Sequence, residues 1–264
     1  MFAGMKLIQS RDNPFYRELL KLTGSPRQRG KASQTLLDGA HLLAAYLDTG
    51  MLPLQLLVNA SALNDNEVSM LLARAGSVPV TQLDDKLFAE LSELKTPTGI
   101  LALIAIPQPE VMVEQSRFAL LLEDIQDPGN LGSMLRSAAA AGCDAVFLSQ
   151  GCADAWSPKV LRAAMGGHFI VRIYERQELT VVAQQFPGAL LATSLQATRR
   201  LYECDLHGNV AFMVGNEGAG LSAELLSLAT QQVTIPMSGK VESLNAAAAA
   251  AICLFEVVRQ RKSR

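Results

Sequence analysis

No apolar run in this sequence approaches the roughly 20 residues needed to cross a bilayer. The longest, at 246–255, is mostly alanine. The opening residues, MFAGMKLIQSRDN, lack the apolar core of a secretion signal, so the expectation is a cytoplasmic protein. Only four cysteines occur (Cys143, Cys152, Cys204 and Cys253), none in C-x-x-C spacing, beside three scattered histidines. That leaves no credible metal site and points to reduced, buried thiols. A phosphate-binding G-x-x-x-x-G-K-[ST] loop is also missing. The glycine-rich loop at 215–220 reads G-x-x-G-x-G, the reverse of the dinucleotide pattern, which gives a nicotinamide enzyme little support.

What is present is an ordinary globular composition, 49% hydrophobic and 18% charged over 264 residues. That is enough for one large domain or two medium ones with a substantial core. The net charge of −2 conceals an asymmetry. Residues 1–31 carry seven Lys or Arg against two acids, and the last six carry four basic residues and no acid. The middle holds 12 basic and 23 acidic residues. Basic ends on an acidic body point to a polyanion, with Arg11, Arg27, Arg29 and Lys31 as candidate phosphate contacts. The competing reading is a pair of solvated termini.

Along the chain, Asn13 and Pro14 read as the N-cap and first position of a helix, followed by a flexible basic loop at 25–30. Strands are expected at 34–37, 54–58, 78–83 and 100–106, alternating with helices at 40–49, 65–75 and 86–93. This makes residues 1–108 a small α/β domain. Pro107, Pro109 and the polar stretch after them read as a linker at 109–117, and residues 118–264 form a second α/β domain.

The second domain is organised around 119–149. Ala119 and the three leucines after it read as a buried strand that surfaces at Glu123 and Asp124. Asp127, Pro128, Gly129 and Asn130 break the chain, and a helix from Leu131 to Ala141 leads into a strand at 145–148. This is a βαβ unit whose helix N-terminus offers free N–H groups to an anion or polar ligand. Arg136, on that helix, reads by itself as a solvated residue. Two further loops change the odds. One, at 215–220, follows a strand at 210–214. The other, at 238–245, follows a strand at 233–237 and leads into a helix with six successive alanines. Between the first loop and these two come a short helix at 158–165, a strand at 169–173, a helix at 178–185 and a strand at 189–193. The alanine face suits close helix packing or a subunit contact.

Three motifs, EDIQDPGNLGSMLR at 123–136, VGNEGAGLS at 214–222 and IPMSGKVESLNAA at 235–247, closely resemble the signatures of the SpoU/TrmH family. Its members are S-adenosylmethionine-dependent RNA 2′-O-ribose methyltransferases of the SPOUT superfamily. The basic first domain is similar to the family's substrate-binding domain, itself like a ribosomal-protein RNA-binding fold. One departure is that alanine follows Asn245 at once, where many members carry a β-branched or hydroxyl residue.

The resemblance implies a methyltransferase domain with a deep trefoil knot and a homodimer whose active site draws on both subunits. It implies ribosomal or transfer RNA as the substrate. It implies a catalytic set of Asn130, Arg136, Glu217, Ser243 and Asn245. For S-adenosylmethionine it implies Thr193, Ser194, Gly215, Asn216, Gly220, Ile235, Met237 and Leu244. Arg136 suits anchoring of an RNA phosphate, because a guanidinium is effectively never deprotonated. Base catalysis by this arginine would need a strongly perturbed site. A non-catalytic RNA-binding relative is the alternative, but it should have lost Arg136, Glu217 or Asn245, and all three are present.

Overall fold

Asn13 and Pro14 do start the first long helix, α1 (Pro14–Gly24), with the Asn13 side chain accepting from the amides of Phe15 and Tyr16. In the computed structural model, which describes residues 5–239 and 241–262, a short strand β1 (Lys6–Ile8) precedes it. The basic stretch after α1 is not a loop. Ser25 caps a second helix, α2 (Pro26–Ala32), in the same Ser/Asn-then-Pro manner. Then come β2 (Gln34–Asp38), α3 (Ala40–Asp48), β3 (Gln55–Val58), α4 (Asn66–Ala75), β4 (Val80–Leu83), α5 (Asp85–Leu91) and β5 (Ile100–Ala105). The sheet order is β1-β4-β3-β5-β2, mixed, with β5 antiparallel to both β2 and β3. Tyr16, Leu19 and Leu22 of α1 bury against Leu36, Leu57, Leu83, Phe88 and Leu101.

Arg29 corrects the charge argument. It is 3% exposed, and its guanidinium donates to the carbonyls of Leu22 and, at 3.1 Å, Thr23. It satisfies the orphan C-terminal carbonyls of α1 and offers nothing to a polyanion. Arg11 is exposed but paired with Glu90 at 2.9 Å, whereas Arg27 and Lys31 stand exposed on α2.

The second unit begins at Pro109. Its first residues are packed, not a free linker. Val113 is buried in the core, and Tyr174 Oη donates to the Glu110 carbonyl at 3.1 Å. After β6 (Phe118–Leu122), α6 (Pro128–Ala141) and β7 (Ala145–Leu148), the segment Trp156–Phe169, which carries α7 (Pro158–Ala164), belongs to the first unit. Thr35 Oγ1 donates to the Trp156 carbonyl at 2.8 Å, and Phe169 meets Tyr46 edge-on at 5.1 Å. The division at 118–264 is therefore interrupted, because these apolar side chains complete the other core.

The second unit continues with β8 (Arg172–Tyr174), α8 (Leu179–Gln185), β9 (Ala189–Thr193), β10 (Val210–Val214), α9 (Ala223–Leu228), β11 (Gln231–Val233) and α10 (Ala246–Lys262). All six strands run parallel in the order β11-β9-β10-β6-β7-β8. β6 and β10 are buried along their whole length, as parallel strands covered on both faces must be. Phe147 and Tyr174 stack at 4.9 Å in the core beneath α8 and α9. α6 and α10 pack on each other; α6 buries Leu131, Met134, Leu135 and Ala138, and α10 buries Ala247, Ala250, Cys253, Leu254 and Val257.

Three further boundaries differ from expectation. The last strand lies at Gln231–Val233, not 233–237, so Ile235 and Met237 fall in the loop. The strand expected at 169–173 begins at Arg172, after a 3-10 turn at Gly167–Phe169. α6 begins at Pro128, capped by Asp127, which puts Asn130 inside its first turn. Met1, Phe2, Ala3, Gly4, Lys240, Ser263 and Arg264 lie outside the described residues, so the basic contributions of Lys240 and Arg264 have no structural account.

The four cysteines are free, with Cys152 only half-buried. Burial pushes the Cys253 thiol up to about 12, which leaves it a thiol at neutral pH. No described helix is long and apolar enough to cross a membrane, and no described His, Cys, Asp or Glu cluster is placed to hold a metal.

Glu256, 6% exposed on α10, is held by Arg259 at 2.7 and 2.8 Å and by Gln260 at 2.9 Å. The Arg259 hydrogen bonds hold its carboxyl below the usual value. Its contribution to stability is therefore complete above the ordinary carboxylate pKa of about 4.3, and is lost as pH falls through the lower folded value. Melting wild type and Glu256→Gln across pH should show a gap that is constant near neutrality and narrows only in acid. A gap that widened in acid would contradict this pairing.

Candidate active site

Three loops meet at the carboxyl ends of the neighbouring strands β11, β9 and β10, the usual ligand edge of an open parallel sheet. The first follows β9, where Thr193 Oγ1 donates to the Met213 carbonyl at 3.1 Å and the Ser194 amide donates to Val233 O at 3.0 Å. The second follows β10. Asn216 and Gly220 exchange backbone hydrogen bonds at 3.1 and 2.8 Å, closing a tight loop. Asn216 Oδ1 accepts from the amides of Gly218 and Ala219, and its Nδ2 donates to the Asp124 carbonyl at 2.9 Å. Gly215 has no alternative here. A Cβ on it would lie 2.2 Å from the Gly220 backbone. Gly220 itself takes a φ of +72°, the left-handed region that glycine enters at little cost.

The third loop runs from β11 to α10. Asn245 caps the helix, its Oδ1 accepting from the amides of Ala247 and Ala248. That fixes which way its amide faces, so Nδ2 donates to Asn130 Oδ1 at 2.9 Å. Asn130 Nδ2 is then left to donate to Glu217 Oε1 at 2.7 Å. Residues from all three motifs thus form one hydrogen-bonded chain, Asn245 to Asn130 to Glu217.

The loops enclose a cavity of about 580 Å³. Thr193, Ser194, Gly215 and Asn216 line it from the first two loops, with Gly220. Ile235, Met237 and Leu244 line it from the third, so all eight residues expected at a cofactor are gathered. Glu217, Ser243 and Asn245 border the same space; Asn130 reaches it through its two hydrogen bonds. Arg136 does not line it. It lies six positions beyond Asn130 on α6, about 120° around the helix, and is exposed with no hydrogen bond to a described residue.

Sequence reasoning missed Leu195, Gln196, Leu221, Thr234 and Ala249 as walls of the cavity. It also missed that Glu123 holds the second loop, its Oε2 accepting from the Ser222 amide at 2.7 Å. The apolar walls carried no distinct signal, whereas the acidic pair ending β6 did.

Comparison with known proteins agrees with this arrangement. The SpoU rRNA methylase family model matches residues 117–255, and the MRM3-like substrate binding domain matches 13–102. An uncharacterized tRNA/rRNA methyltransferase of Synechocystis sp. is 36% identical, covering 96% of this chain and 94% of that protein. The 23S rRNA (guanosine(2553)-2'-O)-methyltransferase RlmP of Bacillus subtilis is 33% identical, covering 96% and 99%. The AdoMet-bound rRNA methyltransferase of Sinorhizobium meliloti superposes with a TM-score of 0.83 at 27% identity, covering 97% of this chain and 98% of that one. With a family model over residues 117–255 and full-length relatives above 30% identity, the chain belongs to the SpoU rRNA methylase family.

Proposed function

We propose that the chain carries out its family's reaction, transferring a methyl group from S-adenosylmethionine to a ribose 2′-OH of ribosomal or transfer RNA. The observation that carries this reading is the cavity whose walls gather the expected cofactor residues beside the Asn245–Asn130–Glu217 chain. Its volume lies within the range of small-molecule sites, roughly 300–1,000 Å³. Ile235, Met237 and Leu244 offer apolar surface to an adenine, and the 215–220 backbone offers polar groups to its edge. When bound, the cofactor supplies an electrophilic sulfonium methyl.

The chain's own residues orient and anchor. Arg136 offers a planar fork of donors to a phosphate beside the target ribose. Glu217 has one oxygen on Asn130, leaving the other for a guanidinium or a substrate hydroxyl. Ser243 borders the cavity and is available to the substrate. The hydroxyl proton leaves for water or a carboxylate, since a guanidinium cannot accept it. Because Arg136 stands outside the cavity of its own subunit, we assign it to the cavity of a second copy in a homodimer. The same reading carries the family's knotted C-terminal path and a cytoplasmic location.

Titrating the protein with S-adenosylmethionine and with NAD in a calorimeter tests the cofactor. Binding of the first alone is expected, and binding of NAD alone would overturn the reading. RNA grip is tested separately. Arg27→Ala with Lys31→Ala should weaken RNA binding and flatten the slope of log K against log salt by about 0.7–0.9 per lost contact. Arg29→Ala should leave that slope alone and instead lower stability, by about 1.5–3 kcal/mol for a charged hydrogen bond. Equal slopes in wild type and the double variant would mean the α2 charges are only solvated.

A further inference from the structure

The catalytic unit holds a second cleft that the methyl-transfer reading does not use. It lies at the carboxyl ends of β6, β7 and β8 and encloses about 420 Å³. Glu123 comes from the end of β6, Gln150 from the end of β7, and Arg176 and Glu178 from the end of β8. These strands are sheet neighbours, so the outer two ends are separated by two strand spacings, about 10 Å. Leu179 and Leu225, both buried, supply apolar surface.

The walls are fixed, yet their hydrogen-bonding capacity is not spent. The Asp124 amide donates to Ser149 Oγ at 2.9 Å, and that hydroxyl donates to Asp124 Oδ1 at 2.5 Å. Gly151 lies so close that a Cβ would be 2.2 Å from the same carboxylate. By contrast, the Arg176 guanidinium and the Gln150 amide make no hydrogen bond with any described side chain or backbone group. Glu123 uses Oε2 on the Ser222 amide, and Glu178 uses Oε1 on Thr180 Oγ1. Each carboxylate keeps its second oxygen open among the described residues.

A short cleft with open carboxylate oxygens, a free guanidinium fork and apolar surface matches one nucleobase better than the others. Guanine presents two neighbouring donors, N1–H and the N2 amino group, to carboxylates. On its other edge it presents O6 and N7, the acceptor pair that arginine reads with two hydrogen bonds. Adenine lacks the N1–H donor and the O6 acceptor. The carboxylates repel phosphate, so a base enters and the RNA backbone stays outside. We propose that this cleft reads a guanine of the substrate RNA. Its walls also serve the cofactor loop. Glu123 holds Ser222, and the Asp124 carbonyl accepts from Asn216 Nδ2, so base reading and cofactor binding share one structural edge.

The inference rests on the methyltransferase reading, and the test separates the two. The full chain, saturated with S-adenosylhomocysteine, is titrated with GMP, IMP and AMP. GMP should bind tightest, IMP weaker for want of the N2 amino group, and AMP weakest. Arg176→Gln should weaken GMP by about tenfold, the size of a two-bond guanine contact, and bring the three nucleotides together. S-adenosylhomocysteine affinity should not change. Gln150→Ala, a milder change in the same wall, should weaken GMP in the same direction if Arg176→Gln fails to fold. Equal binding of the three nucleotides by wild type, or a GMP preference that survives both variants, would overturn the proposal. Failure of wild type to bind S-adenosylhomocysteine would instead count against the methyltransferase reading.

Discussion

Arg136→Ala is expected to lower methyl transfer by about a hundredfold or more, the usual loss for one preorganised donor at a reacting centre, while S-adenosylmethionine affinity stays at the wild-type value. The split follows from its assigned role. Arg136 is exposed on α6 and absent from the wall of its own cavity, and in the second copy's cavity it is assigned to an RNA phosphate, not to the cofactor. Arg136→Lys should be nearly as poor, because a point charge does not replace a two-pronged fork. A lysine variant with near-normal turnover would remove the anchoring role. If the second copy supplies this arginine, mixing Arg136→Ala with a Gly215→Ala chain should restore part of the activity in mixed dimers. Activity no higher than that of the separate variants would count against sharing.

Gly215→Ala should do the reverse. Its Cβ would sit 2.2 Å from Gly220 C and O and 2.4 Å from the Leu221 amide, all backbone atoms that cannot swing away. The 215–220 loop must open, at an overpacking cost of about 1–3 kcal/mol. Transmitted to the cofactor, that weakens S-adenosylmethionine by roughly tenfold to a hundredfold. Gly218→Ala is the internal control, since the nearest atom to its Cβ is Asn216 Oδ1 at 3.5 Å, an ordinary contact. Equal effects from the two alanines would show that the loop's closed form is not what the cofactor requires.

Much of this architecture could be read before the structure, and the misses have physical causes. β6 and β10 were legible because a strand buried on both faces is a continuous apolar run. The loops after them were legible because a helix N-terminus and a close backbone approach need particular residues. α2 was missed although Ser25 and Pro26 repeat the signal of Asn13 and Pro14. Its seven residues have no apolar stripe, and Gly30 disguises it. The start of α6 was misplaced for a related reason, because Asp127 and Pro128 serve equally as turn formers and as a cap with its first helical residue.

Two other misses concern where a side chain spends itself. Counting charges treats every arginine as available, but Arg29 is spent on the carbonyls that end α1. Ile235 and Met237 look like a strand by composition, but they serve the cavity wall. The segment Trp156–Phe169 could not be assigned from order along the chain, since its partners, Thr35 and Tyr46, lie more than a hundred positions away. A fragment cut at residue 108 would strip these side chains of their core, so tests of dimerisation belong on the full chain.

The chemistry turns on which atom of the RNA receives the methyl group. Cleavage of RNA by alkali needs a free 2′-OH, so a 2′-O-methylated nucleotide survives joined to its neighbour. RNA labelled by this protein with methyl-tritiated S-adenosylmethionine should therefore yield, after complete alkaline hydrolysis, its radioactivity in dinucleotides that resist the base. Radioactivity recovered in mononucleotides would place the methyl on a base and contradict the account.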